Sequence, residues 1–266
     1  MLVFVTEDDR RGIEVSKRLL NDGYYVSDNI KDIKYAKMIY LGLKGIDQQN
    51  RITHQNRICY IDEDVFKTFN ENSYVFTIVE NKILRELAFK NHFHYFSLMN
   101  DDHFLEMNTI LTAEGLISFM IDKIESPLYH SRIMILGYGH CAKAVAERLS
   151  GFHAEITILA RNTELKEEIE KKGYLYQAFE KADFNETDII VNTIPYPILD
   201  KSILEKINNS IILFDIASFP YGIDHHEAIR LGFDSYIVAA IPSKYYPDYS
   251  AQCIVDFIKE KGDKFA

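Results

Sequence analysis

The segment Ile133-Met134-Ile135-Leu136-Gly137-Tyr138-Gly139-His140-Cys141-Ala142 carries the spacing with the plainest chemical meaning. It reads G-x-G-x-x-A, directly after an apolar strand-like run and directly before a helix-like one. The first glycine permits a tight turn, the second lets a pyrophosphate approach the backbone, and the small third residue lets helix and strand pack closely. Phosphate oxygens would then rest on free N–H groups at a helix N-terminus, where the dipole also favours an anion. Gly137, Tyr138, Gly139, His140, Cys141 and Ala142 are therefore the expected phosphate loop of a dinucleotide site. About 20 residues on, an NAD-binding chain usually has an Asp or Glu that bonds the ribose 2′-hydroxyl. Here Ala160-Arg161-Asn162-Thr163 stands in that place. A carboxylate would repel a 2′-phosphate, whereas a guanidinium binds one through paired charged hydrogen bonds. Arg161, with Asn162 and Thr163 as neutral donors, favours NADP over NAD as the cofactor.

Other residues join by position. In an open parallel sheet, ligands sit beyond the carboxyl ends of the strands. That selects Asn192-Thr193-Ile194-Pro195, Ala217-Ser218 and Ala240-Ile241-Pro242, which follow three strand-like runs. Thr193 and Ser218 are candidates to bond the nicotinamide amide or ribose and to act in catalysis, although such residues equally form caps and turns. Glu114, in Thr112-Ala113-Glu114-Gly115, is either an acid favoured at a helix start capped by Thr112, or a general acid or base. Cys141 at a helix N-terminus has either a lowered pKa or a packing role. His225 and His226 are adjacent, so they diverge on a helix, and no third ligand has zinc-like spacing; no metal is expected. Asp8-Asp9-Arg10-Arg11 is either a solvated helix start or a source of cations for a cleft.

Strand-like and helix-like segments alternate to position these groups, which predicts parallel sheets covered by helices. Strands are expected at 2–6, 24–26, 37–41, 74–79 and 94–97, with helices at 7–20 and 82–90. Residues 43–58 lack period and are expected to form a loop. The apolar-periodic stretch 112–125 is expected to be a linking helix. Beyond it, strands are expected at 133–136, 156–159, 188–191, 211–215 and 236–239. Helices are expected at 140–149, 163–172, 202–207, 225–231 and 248–261. The expected fold is α/β in two domains. Residues 1–108 form a flavodoxin-like or Rossmann-like domain, and 109–266 a doubly wound Rossmann domain that binds NADP, with substrate in a cleft between them; packing of the final helix back across the hinge is left open.

Bulk properties narrow the class. A chain of 266 residues with 47% hydrophobic residues can bury a core for two modest domains. The net charge of −10 and the lack of a basic run argue against nucleic acid as a partner. No apolar stretch reads as a signal peptide or reaches the roughly 20 residues of a membrane helix. The three scattered cysteines, Cys59, Cys141 and Cys253, point to a reducing compartment, hence the cytoplasm. A homo-oligomer is left open.

Residues 108–256 resemble the A-subunit family of dipicolinate synthase. The matching stretches are Asn108-Thr109-Ile110-Leu111-Thr112-Ala113-Glu114-Gly115, Leu136-Gly137-Tyr138-Gly139, Ala160-Arg161-Asn162, Asn192-Thr193-Ile194-Pro195 and Asp215-Ile216-Ala217-Ser218. More distantly, the layout is similar to D-2-hydroxyacid and alanine dehydrogenases. The resemblance implies an oxidoreductase that works with a flavoprotein-like second subunit. Together they would oxidise a small dihydrodipicolinate-type substrate to pyridine-2,6-dicarboxylate during sporulation. The sequence departs from the family at Phe219 and Asp248, where the family has Arg and Lys. Weak binding of dipicolinate by this chain alone is therefore expected. A non-catalytic NADP-binding regulatory or scaffold subunit is the alternative expectation.

Overall fold

The alternation resolves into two parallel sheets, each the centre of its own unit. The computed structural model describes residues 1–263. The first unit is Met1–Asn108 together with the chain from Pro242 onward; the second is Thr109–Ile241. The C-terminal stretch, counted in sequence with the second domain but left open to pack back across the hinge, groups with the first unit.

In the first unit β1 (Leu2–Val5) leads to α1 (Arg10–Asn21), β2 (Tyr25–Ser27) and β3 (Met38–Tyr40). There follow β4 (Arg51–His54), β5 (Arg57–Tyr60), the one-turn α2 (Glu63–Phe66), β6 (Tyr74–Thr77), α3 (Lys82–Asn91) and β7 (His94–Ser97). The main sheet has the order β2-β1-β3-β6-β7 and is parallel throughout, a flavodoxin-like order. β3 and β6 are buried at every position, as strands covered on both faces must be. Residues 43–58 are not the structureless loop expected. They include most of a hairpin of β4 and β5, which turns at Gln55 and Asn56 with φ of 48° and 60°. Such turns are usually signalled by Asn-Gly or Asp-Gly, and Gln-Asn lacks that signature.

The helix expected at 112–125 is longer: α4 runs Asp102–Lys123. Its start is set by Asp101, whose carboxylate accepts the Phe104 N–H at 3.0 Å, so Thr112 is mid-helix and not an N-cap. By length and composition alone α4 could cross a membrane, contrary to the expectation that no stretch qualifies. Leu111, Ala113, Leu116, Ile117 and Met120 are instead buried in the protein, which marks a core helix.

The second unit contains β8 (Arg132–Leu136), α5 (His140–Ser150), β9 (Glu155–Ala160), α6 (Lys166–Lys171), β10 (Leu175–Ala178) and β11 (Ile189–Asn192). It continues with α7 (Lys201–Leu204), β12 (Ile212–Asp215), α8 (His225–Arg230) and β13 (Ser235–Ile237). The order β10-β9-β8-β11-β12-β13, all parallel, is that of a doubly wound Rossmann domain, with the reversal between β8 and β11. β10 went unexpected because an edge strand with one exposed and three half-buried residues carries no apolar period. Met134, Leu136, Leu159, Ile190 and Leu213 meet in one core cluster on this sheet.

The chain ends with the short α9 (Ile241–Tyr245) and α10 (Pro247–Asp263). Ala251, Ile254, Val255, Phe257 and Ile258 of α10 share a buried cluster with Val3, Val5, Val15, Leu19 and Phe76. An amphipathic face records that a helix is buried, not which of two sheets buries it.

Candidate dinucleotide site

β8, β11 and β12 are neighbours in one parallel sheet, so the loops that follow them share one edge. Gly137 follows β8 with φ +99°, a conformation other residues rarely adopt. A Cβ there would also lie 2.8 Å from Thr193 Oγ1 and 2.9 Å from Ile194 Cγ1. Gly139 is different. Its φ is −81°, it is the N-cap of α5, and a Cβ would meet nothing within 4 Å. No side chain caps the helix, so the orphan N–H groups of its first turn face that open space without a capping oxygen. Ala142 is fully buried against the sheet, which lets α5 approach β8. This arrangement fits a pyrophosphate.

The remaining loop residues line the approach. Tyr138 is half-buried with Lys143 Nζ 4.7 Å from its ring centre, and Lys143 pairs with Glu168 at 2.7 Å. His140 is exposed. Burial pushes the Cys141 thiol up, the direction opposite to the lowering expected of a helix N-terminus. At the end of β9, Ala160 is buried. Arg161 is exposed and, among the described residues, unpaired. Asn162 is partly engaged: its Oδ1 caps the next turn by accepting the Glu164 N–H at 2.9 Å. Thr163 is exposed in that turn.

The residues after β11 and β12 divide into structural and accessible groups. Asn192 is fully buried, and its amide is spent within the protein. Nδ2 donates to Ile194 O at 3.0 Å and to Asp215 Oδ1 at 2.8 Å, and Oδ1 accepts the Ile194 N–H at 3.1 Å. Thr193 donates its hydroxyl to Leu136 O at 2.7 Å, which clamps β8 to β11. Ile194 is half-buried and Pro195 exposed. Ala217 is buried, and Ser218 is exposed at the start of a turn closed by the Tyr221 N–H on Ser218 O at 2.9 Å. Among Glu114, Thr193 and Ser218, only Ser218 offers an unengaged side chain at this edge.

Glu114 is elsewhere. It pairs with Arg148 Nε at 3.3 Å. Arg148 lies eight residues beyond the start of α5 at His140, about 12 Å along a helix that runs away from the phosphate loop. This geometry does not bring Glu114 together with Thr193 and Ser218. The expected cations of the first unit are also committed. Arg11 is 4% exposed and bonds Asp9 Oδ2 through Nε at 2.9 Å. Arg10 donates to Lys244 O at 3.1 Å. Asp248 is paired with Arg18 at 2.8 Å, so its charge is partly offset. A cavity of about 540 Å³ opens at the opposite edge, the amino ends of β8, β11 and β12, beside Ser131, Asp188, Ile189 and Ile212.

Sequence reasoning missed Asp215 and misjudged the importance of His225. Asp215 ends β12 fully buried, and His225 Nε2 lies 3.5 Å from its Oδ2. The available signal was an acid closing an otherwise apolar strand run, Ile211-Ile212-Leu213-Phe214-Asp215.

Comparison with known proteins bears on the same residues. Residues 106–218 match the family model of the D-isomer specific 2-hydroxyacid dehydrogenase NAD binding domain. The chain resembles the A-subunit of dipicolinate synthase of Bacillus subtilis (strain 168), with 24% identity over 188 residues. That match covers 70% of this chain and 63% of the length of that curated relative. The crystal structure of the same component of dipicolinate synthase from Bacillus subtilis superposes with a TM-score of 0.84 at 20% identity, covering 99% of this chain and 95% of that one. D-lactate dehydrogenase from Escherichia coli shares the fold more distantly, with a TM-score of 0.65, 12% identity and coverage of 98% and 96%. The matched domain supports a nicotinamide cofactor, and its description names NAD rather than NADP.

Proposed function

We propose that the chain is one component of an NADP-dependent oxidoreductase and works on a small dihydrodipicolinate-type substrate together with a second, flavoprotein-like subunit. The observation that carries the cofactor half of this reading is the Gly137-Tyr138-Gly139 turn. It sits at the reversal of strand order, with an uncapped helix N-terminus behind it. Gly137, Gly139 and the first turn of α5 would hold the pyrophosphate. Arg161 would hold the 2′-phosphate, and Ser218 would meet the nicotinamide end. A bound nicotinamide would supply hydride transfer. The substrate half comes from the resemblance to the dipicolinate synthase A-subunit. The free thiols support a reducing, cytoplasmic setting.

Titration with NADPH and NADH, in wild type and Gly139→Val, tests the cofactor site. A Cβ at Gly139 meets nothing within 4 Å, so the added side chain enters the open space that the ligand would occupy. Wild type should bind, and the folded variant should not. Unchanged affinity in Gly139→Val sinks the site.

One observation favours a second reading, a non-catalytic NADP-binding regulatory or scaffold subunit. Glu114 is paired on the surface, and the Thr193 hydroxyl donates to backbone. Neither is poised as an acid or base. Cofactor turnover by the purified chain mixed with its second subunit separates the two readings.

A further inference from the structure

Asp215 is a fully buried carboxylate that the cofactor site does not use directly. Burying such a charge is costly unless hydrogen bonds satisfy its lone pairs. Oδ1 accepts from Asn192 Nδ2 at 2.8 Å and the Ala217 N–H at 2.9 Å. Oδ2 accepts from the Gly222 N–H at 2.8 Å and the Ile223 N–H at 3.1 Å. His225 stands behind, its Nε2 3.5 Å from Oδ2 and its Nδ1 2.7 Å from Ser235 Oγ.

The three backbone donors belong to the loop 216–223, where one isolated bridge of Ile223 with Leu199 stands in place of a ladder. The carboxylate takes over the ladder's accepting role. Through Asn192, which also bonds both backbone groups of Ile194, it reaches the loop after β11. One side chain therefore ties together the two loops that bear Pro195 and Ser218. Gly222 closes the knot: a Cβ there would lie 2.3 Å from Asn192 Nδ2.

We propose that Asp215 is a positioning residue for the nicotinamide end of the cofactor, holding the loops after β11 and β12 while the phosphate loop holds the other half independently. This rests on the cofactor reading above. A dinucleotide lies across the reversal point of such a sheet, so its halves meet different strands. The phosphate loop and Arg161 follow β8 and β9; every loop group that Asp215 bonds follows β11 or β12.

Two probes separate the halves. NADPH carries both; 2′-phospho-ADP-ribose keeps the adenosine half and the pyrophosphate but lacks nicotinamide. Calorimetry would compare wild type, Asp215→Asn and His225→Gln. Asparagine in this pocket turns an amide donor against backbone donors and loosens the loop. Asp215→Asn should weaken NADPH by about tenfold or more and leave 2′-phospho-ADP-ribose within about twofold. His225→Gln spares all four bonds to the carboxylate. Should Asp215→Asn fail to fold, His225→Gln serves alone, with a smaller loss confined to NADPH. Parallel loss of both probes in a folded variant, or no loss of NADPH in either variant, overturns the proposal while the cofactor site stands. A wild-type protein that binds neither probe overturns the cofactor site, and this proposal with it.

Discussion

Arg161 and Asp215 show how differently two charged residues can serve one sheet edge. Arg161 is exposed and has no partner among the described residues, so its charge is available to a ligand. If it pairs with a 2′-phosphate, the charged bonds contribute on the order of 1.5–3 kcal/mol each, which predicts about a tenfold or greater preference for NADPH over NADH. Arg161→Ala should erase most of that preference; equal affinities in the wild type would refute the assignment. Asp215 is spent internally. Despite burial, its partners, His225 and Asn192 foremost, hold its carboxyl below the usual carboxylate range. A folded-state pKa below the unfolded one gives stability that is present at neutral pH. That stability is lost as pH falls from the ordinary carboxylate range, near about 4, through the folded value. Asp215→Asn should therefore be less stable at neutral pH and lose less stability on acidification. Denaturant melts of both proteins from neutral to acid pH check this, and identical pH dependence would contradict it.

Element by element, the agreement between local pattern and structure follows burial. β3, β6 and β11, buried at every residue, were legible as continuous apolar runs. β10 and the hairpin of β4 and β5 were not, because they lie outside the doubly covered part of a sheet and bear mixed exposure. α10 was legible as a helix, while the unit that buries it was left open; it groups with the first. Its Ile254 and Ile258 are fully buried among Val3, Val5, Val15 and Leu19. Ile258→Ala should cost about 2–5 kcal/mol, as truncation in a packed core does. Native-state hydrogen exchange should show faster opening of the amides of β1 and β3, with those of β8 and β11 unaffected. Loss of protection in the second sheet and not the first would place α10 wrongly.

At the scale of the whole molecule, the proposed dicarboxylate substrate finds no available cation at the three positions where the resemblance or the sequence suggested one. Phe219 is 82% exposed where the related family has Arg, and Asp248 is tied to Arg18. Arg11 is locked to Asp9 and is not available to a ligand. Two carboxylates leaving water require charge-assisted partners, and neutral donors rarely compensate. Calorimetry of the isolated chain with dipicolinate, NADP present, should therefore show weak or no binding. Tight binding that survives Arg10→Ala would show that the cations come from elsewhere on this chain.

The sequence alone determined that the chain is α/β with two parallel sheets, that a G-x-G-x-x-A turn spans 137–142, and that Ala160 and Arg161 stand where an acid would close β9. Each is a local property: an apolar run, a glycine spacing, the residue that ends a strand. Tertiary structure decided the rest. It gave α10 to the first unit, placed Glu114 two turns of α5 from the Gly137–Gly139 turn, and made Asp215 the anchor of two loops. Those outcomes depend on residues far apart in the chain, such as Asn192 bonded to Asp215 and Ile258 in one buried cluster with Val3, and no spacing rule within one segment encodes them.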